Sequence, residues 1–230
     1  MLAVWLLGLA IVAHHDPVAG ADTAVWRWWV QHRSPGTTAV VSAVTILFSP
    51  VWVGIWTIVA AGVLVVRDRV LVRAAQLVAT VGAIGLLCEI VKLAVGRARP
   101  PVAQQIGGPE VTLSFPSGHV AGAAALALGL AAVVTAHSSR ARRIVSITIA
   151  AGVAVIAAVT RLYLGMHWVT DVAASIVLAA GLVGVIPEAT TTALSHLDAH
   201  VSERFRPLID PAHARDGHTP EELTRCTATH

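Results

Sequence analysis

Five stretches of this chain are long and apolar enough to cross a lipid bilayer as helices, and this constrains its fold more than any other feature. They are residues 37–66, interrupted by Ser49-Pro50, then 74–95, 119–136, 144–160 and 171–186. A helix rises 1.5 Å per residue, so a hydrocarbon core of roughly 30 Å takes about 20 residues. The runs lack the strict alternation of half-buried strands, and they are rich in Ala, Val and Gly, small residues that let membrane helices approach closely. Composition excludes the soluble alternative: 56% of residues are hydrophobic and 13% charged, where a soluble domain has about a quarter charged. The expected fold class is all-α, a polytopic membrane helical bundle.

Residues 2–13 are apolar but short for a span, and no cation precedes them as one would in a secretory signal. A short or truncated first span is expected there, for about six transmembrane helices in all. Residues 22–33 carry Trp26, Trp28 and Trp29 beside Arg27, Gln31, His32 and Arg33, a mixture suited to an interfacial helix at headgroup level. The cations then orient the bundle. Arg67, Arg69 and Arg73 follow the second span and Arg140, Arg142 and Arg143 the fourth, so those loops, both termini and the tail are expected in the cytoplasm, with 14–36, 96–118 and 161–170 outside.

Residues 1–187 hold 12 Lys+Arg against 6 Asp+Glu, and 188–230 hold 4 against 7. The first part is read as the membrane domain and the second as a polar, disordered cytoplasmic tail. No contiguous basic stripe favours nucleic acid as a partner. Cys88 and Cys226 form neither a metal-ligand spacing nor a disulfide framework.

The outer loops contain cations that the orientation rule does not account for, and these fall in three patches. In the first, Lys92 and Arg99 stand seven residues apart, two helical turns, with Pro100 closing the patch. The second is Pro116-Ser117-Gly118-His119 ahead of an apolar run; the N–H groups of Ser117 and Gly118 at a helix N-terminus can bind phosphate oxygens. The third is Thr160-Arg161 followed by His167 and Asp171, where an i, i+4 carboxylate can take the Nδ1 proton and leave Nε2 as a nucleophile. Taken singly, each patch has an ordinary reading: cations snorkelling to lipid phosphates, a turn before a helix, a structural His–Asp pair. Together they place cations, N–H donors and two histidines on one membrane face.

These residues resemble the type 2 phosphatidic acid phosphatase and haloperoxidase superfamily, whose signature is Lys, six residues, Arg-Pro; Pro-Ser-Gly-His; and Ser-Arg, five residues, His, three residues, Asp. Every spacing matches, and the one departure is Thr160 for the usual serine. The resemblance implies an integral membrane lipid phosphatase, with His167 as nucleophile, Asp171 orienting it and His119 as acid and base. Lys92, Arg99, Ser117, Gly118 and Arg161 would bind the phosphate, with no metal and no cofactor. A lipid phosphate would be the substrate (polyprenyl diphosphate, phosphatidate or phosphatidylglycerol phosphate), reached from the outer leaflet of the cell membrane.

Outside the blocks, Glu89 can pair with Lys92 or bond another helix, and Arg97 can contact phosphate or sit at the interface. The loop 101–115 has no Lys or Arg and is placed to cover the site. The rival classes are a transporter and a non-catalytic binding protein for a phosphate-bearing lipid or solute. A transporter would need paired interrupted helices, for which Pro50 and Glu89 are thin support, and a silent protein would be expected to lack one of the catalytic set.

Overall fold

The computed structural model describes residues 2–12, 18–68 and 71–198, and among them the chain is helical with no strand. The helices are α1 (Leu2–Val12), α2 (Ala19–Gln31), α3 (Pro35–Ile46), α4 (Pro50–Asp68), α5 (Val72–Val95), α6 (Gly118–Thr135), α7 (Arg140–Tyr163) and α8 (Val169–Asp198). Five of them, α4 to α8, are long and apolar enough to cross a membrane. Exposed Ile58, Val66, Leu86 and Ile149 on α4, α5 and α7 suit a hydrocarbon solvent.

The expected bundle is thus present, with its spans cut differently. At 11 residues α1 reaches about 16 Å, half the hydrocarbon thickness. It packs Val4, Leu7 and Ile11 into the core beside Phe115 and Leu178. The apolar run 37–66 is two helices, because Pro50 cannot donate to a preceding turn and begins a helix more readily than it continues one. The span is α4 alone. Before it, α3 starts on Pro35 with Ser34 Oγ accepting from the Thr37 N–H at 3.3 Å. The boundary expected at 187 falls inside α8, which continues through Pro187 to Asp198. Gln76 of α5 donates to the Pro187 carbonyl at 3.2 Å, a polar contact between α5 and α8. Arg69 and the tail from 199 onward lie outside the described residues.

Small side chains place α6 at the centre. Ala121, Ala123, Ala124, Ala125, Gly129 and Ala131 are buried, and α6 packs against α4, α5, α7 and α8. A Cβ on Gly122 would stand 3.3 Å from Val53, and one on Gly129 3.3 Å from Leu77, so both glycines permit the close approach typical of membrane helices. The N-terminus of α6 therefore emerges between the end of α5, the end of α7 and the start of α8. The helix α2 packs against α7 and α8 at this same end, with Trp29 edge-on to Tyr163 at 5.9 Å and Trp26 against Trp168 at 6.3 Å.

Two left-handed glycines deliver the site residues. Gly96 (φ 64°) ends α5, its N–H bonding the Lys92 carbonyl at 2.9 Å, and turns Arg97 and Arg99 away from the helix axis. Gly165 (φ 71°) lies between α7 and His167, where a Cβ would come within 2.8 Å of the Gln104 carbonyl oxygen and 2.7 Å of Arg33 Nη2. Gly165→Ala combines an unfavourable φ with a backbone clash, an expected cost of about 2–4 kcal/mol. A thermal melt in detergent should show a lowered midpoint; an unchanged midpoint would mean that the turn relaxes at no cost.

Candidate active site

His167 and Asp171 are buried where α8 begins. Asp171 Oδ2 faces His167 Nδ1 at 3.4 Å and accepts the Trp168 N–H at 2.9 Å and the Ser114 hydroxyl. Its Oδ1 accepts from Arg97 Nη1 at 2.7 Å. On the other side of the ring, His167 Nε2 faces Arg99 Nη1 at 2.9 Å. A guanidinium has no acceptor, so Nε2 must present its lone pair and the ring proton sits on Nδ1, toward the carboxylate. Burial, aided by Arg99 and Arg161, outweighs the opposing pull of Asp171 and holds the imidazole down to about 4. At neutral pH the ring is uncharged.

Arg99 and Arg161 converge on a carboxylate, that of Glu110 in the 101–115 loop. Arg161 Nη2 lies 2.5 Å from Oε1 and Arg99 Nη1 2.7 Å from Oε2. Burial would raise the Glu110 carboxyl, but the charges of Arg161 and Arg99 outweigh it and hold the group below its usual range. The loop is fastened around this contact. Arg99 donates to the Thr112 carbonyl at 2.8 Å and to its hydroxyl at 3.0 Å, and the Glu110 N–H bonds Gln105 Oε1 at 2.8 Å. His119, in the first turn of α6, is within electrostatic reach of Arg161, Glu110, His167 and Arg99. Arg161 Nε and Ser117 Oγ are buried with no hydrogen-bond partner, two donors that an oxyanion would satisfy.

The residues singled out in the sequence therefore meet at one end of the bundle, with two adjustments. The Ser117 N–H is not open to an anion: it bonds Ser175 Oγ at 2.9 Å, which leaves the Ser117 hydroxyl and the start of α6 at Gly118 as the donors there. Lys92 reaches this start, its Nζ 3.8 Å from the Cβ position of Gly118, and pairs with Glu89 at 2.7 Å, so Glu89 takes the first of its two readings.

Other members had no assignment from the sequence. Arg97 has neither role considered for it, since it pairs with Asp171 and with Asp22 of α2, each at 2.7 Å. Glu110 was assigned no role from the sequence. Its signal was being the only carboxylate in a loop between blocks of cations, and the signal for Asp22 was an acid within a tryptophan-rich helix. Ser114 and Ser175 carried no signal at all. Among the described residues, no group of three His, Cys, Asp or Glu side chains has the arrangement of a metal site.

Comparison with known proteins identifies the family. Residues 73–195 match the model of the PAP2 superfamily. The chain is 32% identical over 178 residues to phosphatidylglycerophosphatase B of Bacillus subtilis (strain 168), covering 74% of this chain and 84% of that protein. It also superposes, with a TM-score of 0.70 and 25% identity, on the crystal structure of a transmembrane PAP2 type phosphatidylglycerolphosphate phosphatase from Bacillus subtilis, over 88% of this chain and 97% of that one. With its membrane-length helices, the family match over just over half of its length and these two relatives in agreement, the chain is a membrane phosphatase belonging to the PAP2 superfamily.

Proposed function

We propose that the protein hydrolyses a phosphomonoester or diphosphate lipid, with a phosphatidylglycerophosphate-like lipid first among its substrates, through a phosphohistidine at His167. The observation that carries this reading is the aim of the ring: Nδ1 turned to Asp171, and Nε2 turned to Arg99, which together with Arg161 closes on an oxyanion, the Glu110 carboxylate.

In the first step the Nε2 lone pair forms a bond to phosphorus as the bond from phosphorus to the lipid oxygen breaks, and His119 gives that oxygen a proton. Asp171 stabilises the imidazolium that develops. In the second step His119 takes a proton from water, whose oxygen bonds phosphorus while the N–P bond breaks, releasing inorganic phosphate. Arg99, Arg161, Lys92 and the donors at Ser117 and Gly118 offset the charge on the equatorial oxygens. Side-chain cations thus supply what a divalent ion would, and the reaction proceeds without metal or cofactor. The lipid's tail stays in the bilayer while its headgroup enters. Arg67, Arg73, Arg140, Arg142 and Arg143 stand at the far ends of the spans, which favours a cell-membrane protein with its site facing outward.

Phosphate release by the purified protein from phosphatidylglycerophosphate, phosphatidate and polyprenyl diphosphate tests both substrate and chemistry. Wild type should be active in chelator, and His167→Ala should lose about 10³-fold or more in kcat. Undiminished release by the variant would remove His167 as nucleophile, and loss of activity in chelator would overturn the metal-free mechanism.

A neutral nucleophile also has a pH signature. The folded imidazole takes its proton near 4 and an unfolded one near 6.5, so the unfolded state binds more protons between these values. This group's contribution to stability is present above about 6.5 and is lost as pH falls toward 4. Titration of His167 by histidine-selective NMR should give a midpoint near 4; a midpoint near 6.5 would contradict the burial argument.

An incoming phosphoryl group must displace Glu110 from Arg99 and Arg161. Glu110→Gln should therefore lower KM, by about tenfold for each 1.4 kcal/mol of competing contact removed. A raised KM would show instead that Glu110 holds the two arginines in place for the substrate.

A further inference from the structure

Asp22 lies outside the three sequence blocks and outside the membrane-length helices, yet it is 1% exposed and bonded to the catalytic end of α8. Its Oδ2 accepts from Arg97 Nη2 at 2.7 Å and from the Thr170 hydroxyl at 2.5 Å, and its Oδ1 accepts the Thr170 N–H at 3.0 Å. Arg97 in turn donates through Nη1 to Asp171 Oδ1 and to the Thr170 hydroxyl, both at 2.7 Å. The guanidinium is held over the Trp168 ring, its Cζ 5.7 Å from the centroid. One cation is thus divided between two buried carboxylates, each at 2.7 Å, and one of them, Asp171, faces the nucleophilic histidine.

We propose that Asp22 is a positioning residue of this phosphatase: by sharing Arg97 it keeps Asp171 aimed at His167 and only partly neutralised. The inference rests on the reading of His167 and Asp171 given above. A guanidinium paired with Asp171 alone would cancel most of the negative charge that the ring needs as it becomes imidazolium during attack on phosphorus. A second carboxylate on the opposite arm draws part of that positive charge away, and the rigid planar fork fixes the direction of both contacts. The other charged or titratable groups facing His167 are Arg99 and Arg161, with Glu110 between them and His119 on α6. None of these bonds Asp22, so the Asp22 effect passes through Arg97 and Asp171.

The test is Asp22→Asn, which keeps the size and an acceptor and removes the charge, assayed with wild type, His167→Ala, Asp171→Asn and the double variant Asp22→Asn/Asp171→Asn. The expected result is a fall of about tenfold in kcat with KM within twofold, smaller than the loss from a directly paired aspartate. In the Asp171→Asn background the added Asp22→Asn should cost little more, because both act through one carboxylate. Slower formation of the phosphoenzyme in a single turnover should accompany the lower kcat. An unchanged kcat, or an equal loss in both backgrounds, overturns the proposal. If Asp22→Asn does not yield folded protein, Arg97→Lys replaces it: one ammonium cannot bridge two carboxylates with a planar fork, so the same separation of kcat from KM is expected, and its absence overturns the proposal. An active His167→Ala would instead refute the underlying mechanism, whereas an inactive His167→Ala beside a normal Asp22→Asn would refute only the role of Asp22.

Discussion

The Asp171 carboxylate is buried at the head of a membrane-length helix, and it keeps its charge because donors reach it from several parts of the chain. Arg97 comes from the exit of α5, Ser114 from the loop before α6, and the Trp168 N–H from the turn that starts α8. Burying an ionised carboxylate without such partners costs several kcal/mol, and removing one partner of a buried pair typically costs about 3–5 kcal/mol. The end of the bundle is therefore organised around this group. The left-handed turn at Gly96, the placement of Ser114 and the entry of α8 are each consistent with satisfying it.

Around that centre, the membrane and the site impose complementary demands. Small residues on α6 let four helices meet closely, which brings the ends of α5 and α7 and the starts of α6 and α8 to one place. Four segment ends meet there: cations at the ends of α5 and α7, the Ser117 hydroxyl and the Gly118 N–H at the start of α6, and a histidine before α8, the set that the proposed reaction uses. Catalytic machinery of this kind is carried on rigid helix ends, while the 101–115 loop brings Glu110 onto the same arginines. In the proposed reaction, the loop's Glu110 occupies the contacts that a phosphate would take.

The three blocks were legible because each is local. Lys92 and Arg99, Pro116 to His119, and Arg161 with His167 and Asp171 are short spacings whose chemistry can be read one helix turn at a time. The helical class was equally legible, since uninterrupted apolar length is a property of composition. Less was visible where competing local rules met: the run 37–66 was read as one span interrupted by Ser49-Pro50, whereas Pro50 makes it two helices, and Pro187 looked like a terminus although α8 passes through it.

What the sequence determined by itself was an all-helical membrane bundle and the spacing of its three motif blocks, because helix length and motif spacing are encoded within a few turns of chain. Tertiary structure decided the rest. Asp22 meets Arg97 across 75 residues and Glu110 meets Arg161 across 51, contacts that no periodicity announces because they depend on how distant helix ends converge. The same holds for the Ser117 N–H, which lies at a helix start as its sequence implies but is taken by Ser175 from another helix 58 residues away. Which polar groups remain open to a substrate is set by these long-range partners, since a buried donor bonds whatever acceptor the packing places beside it.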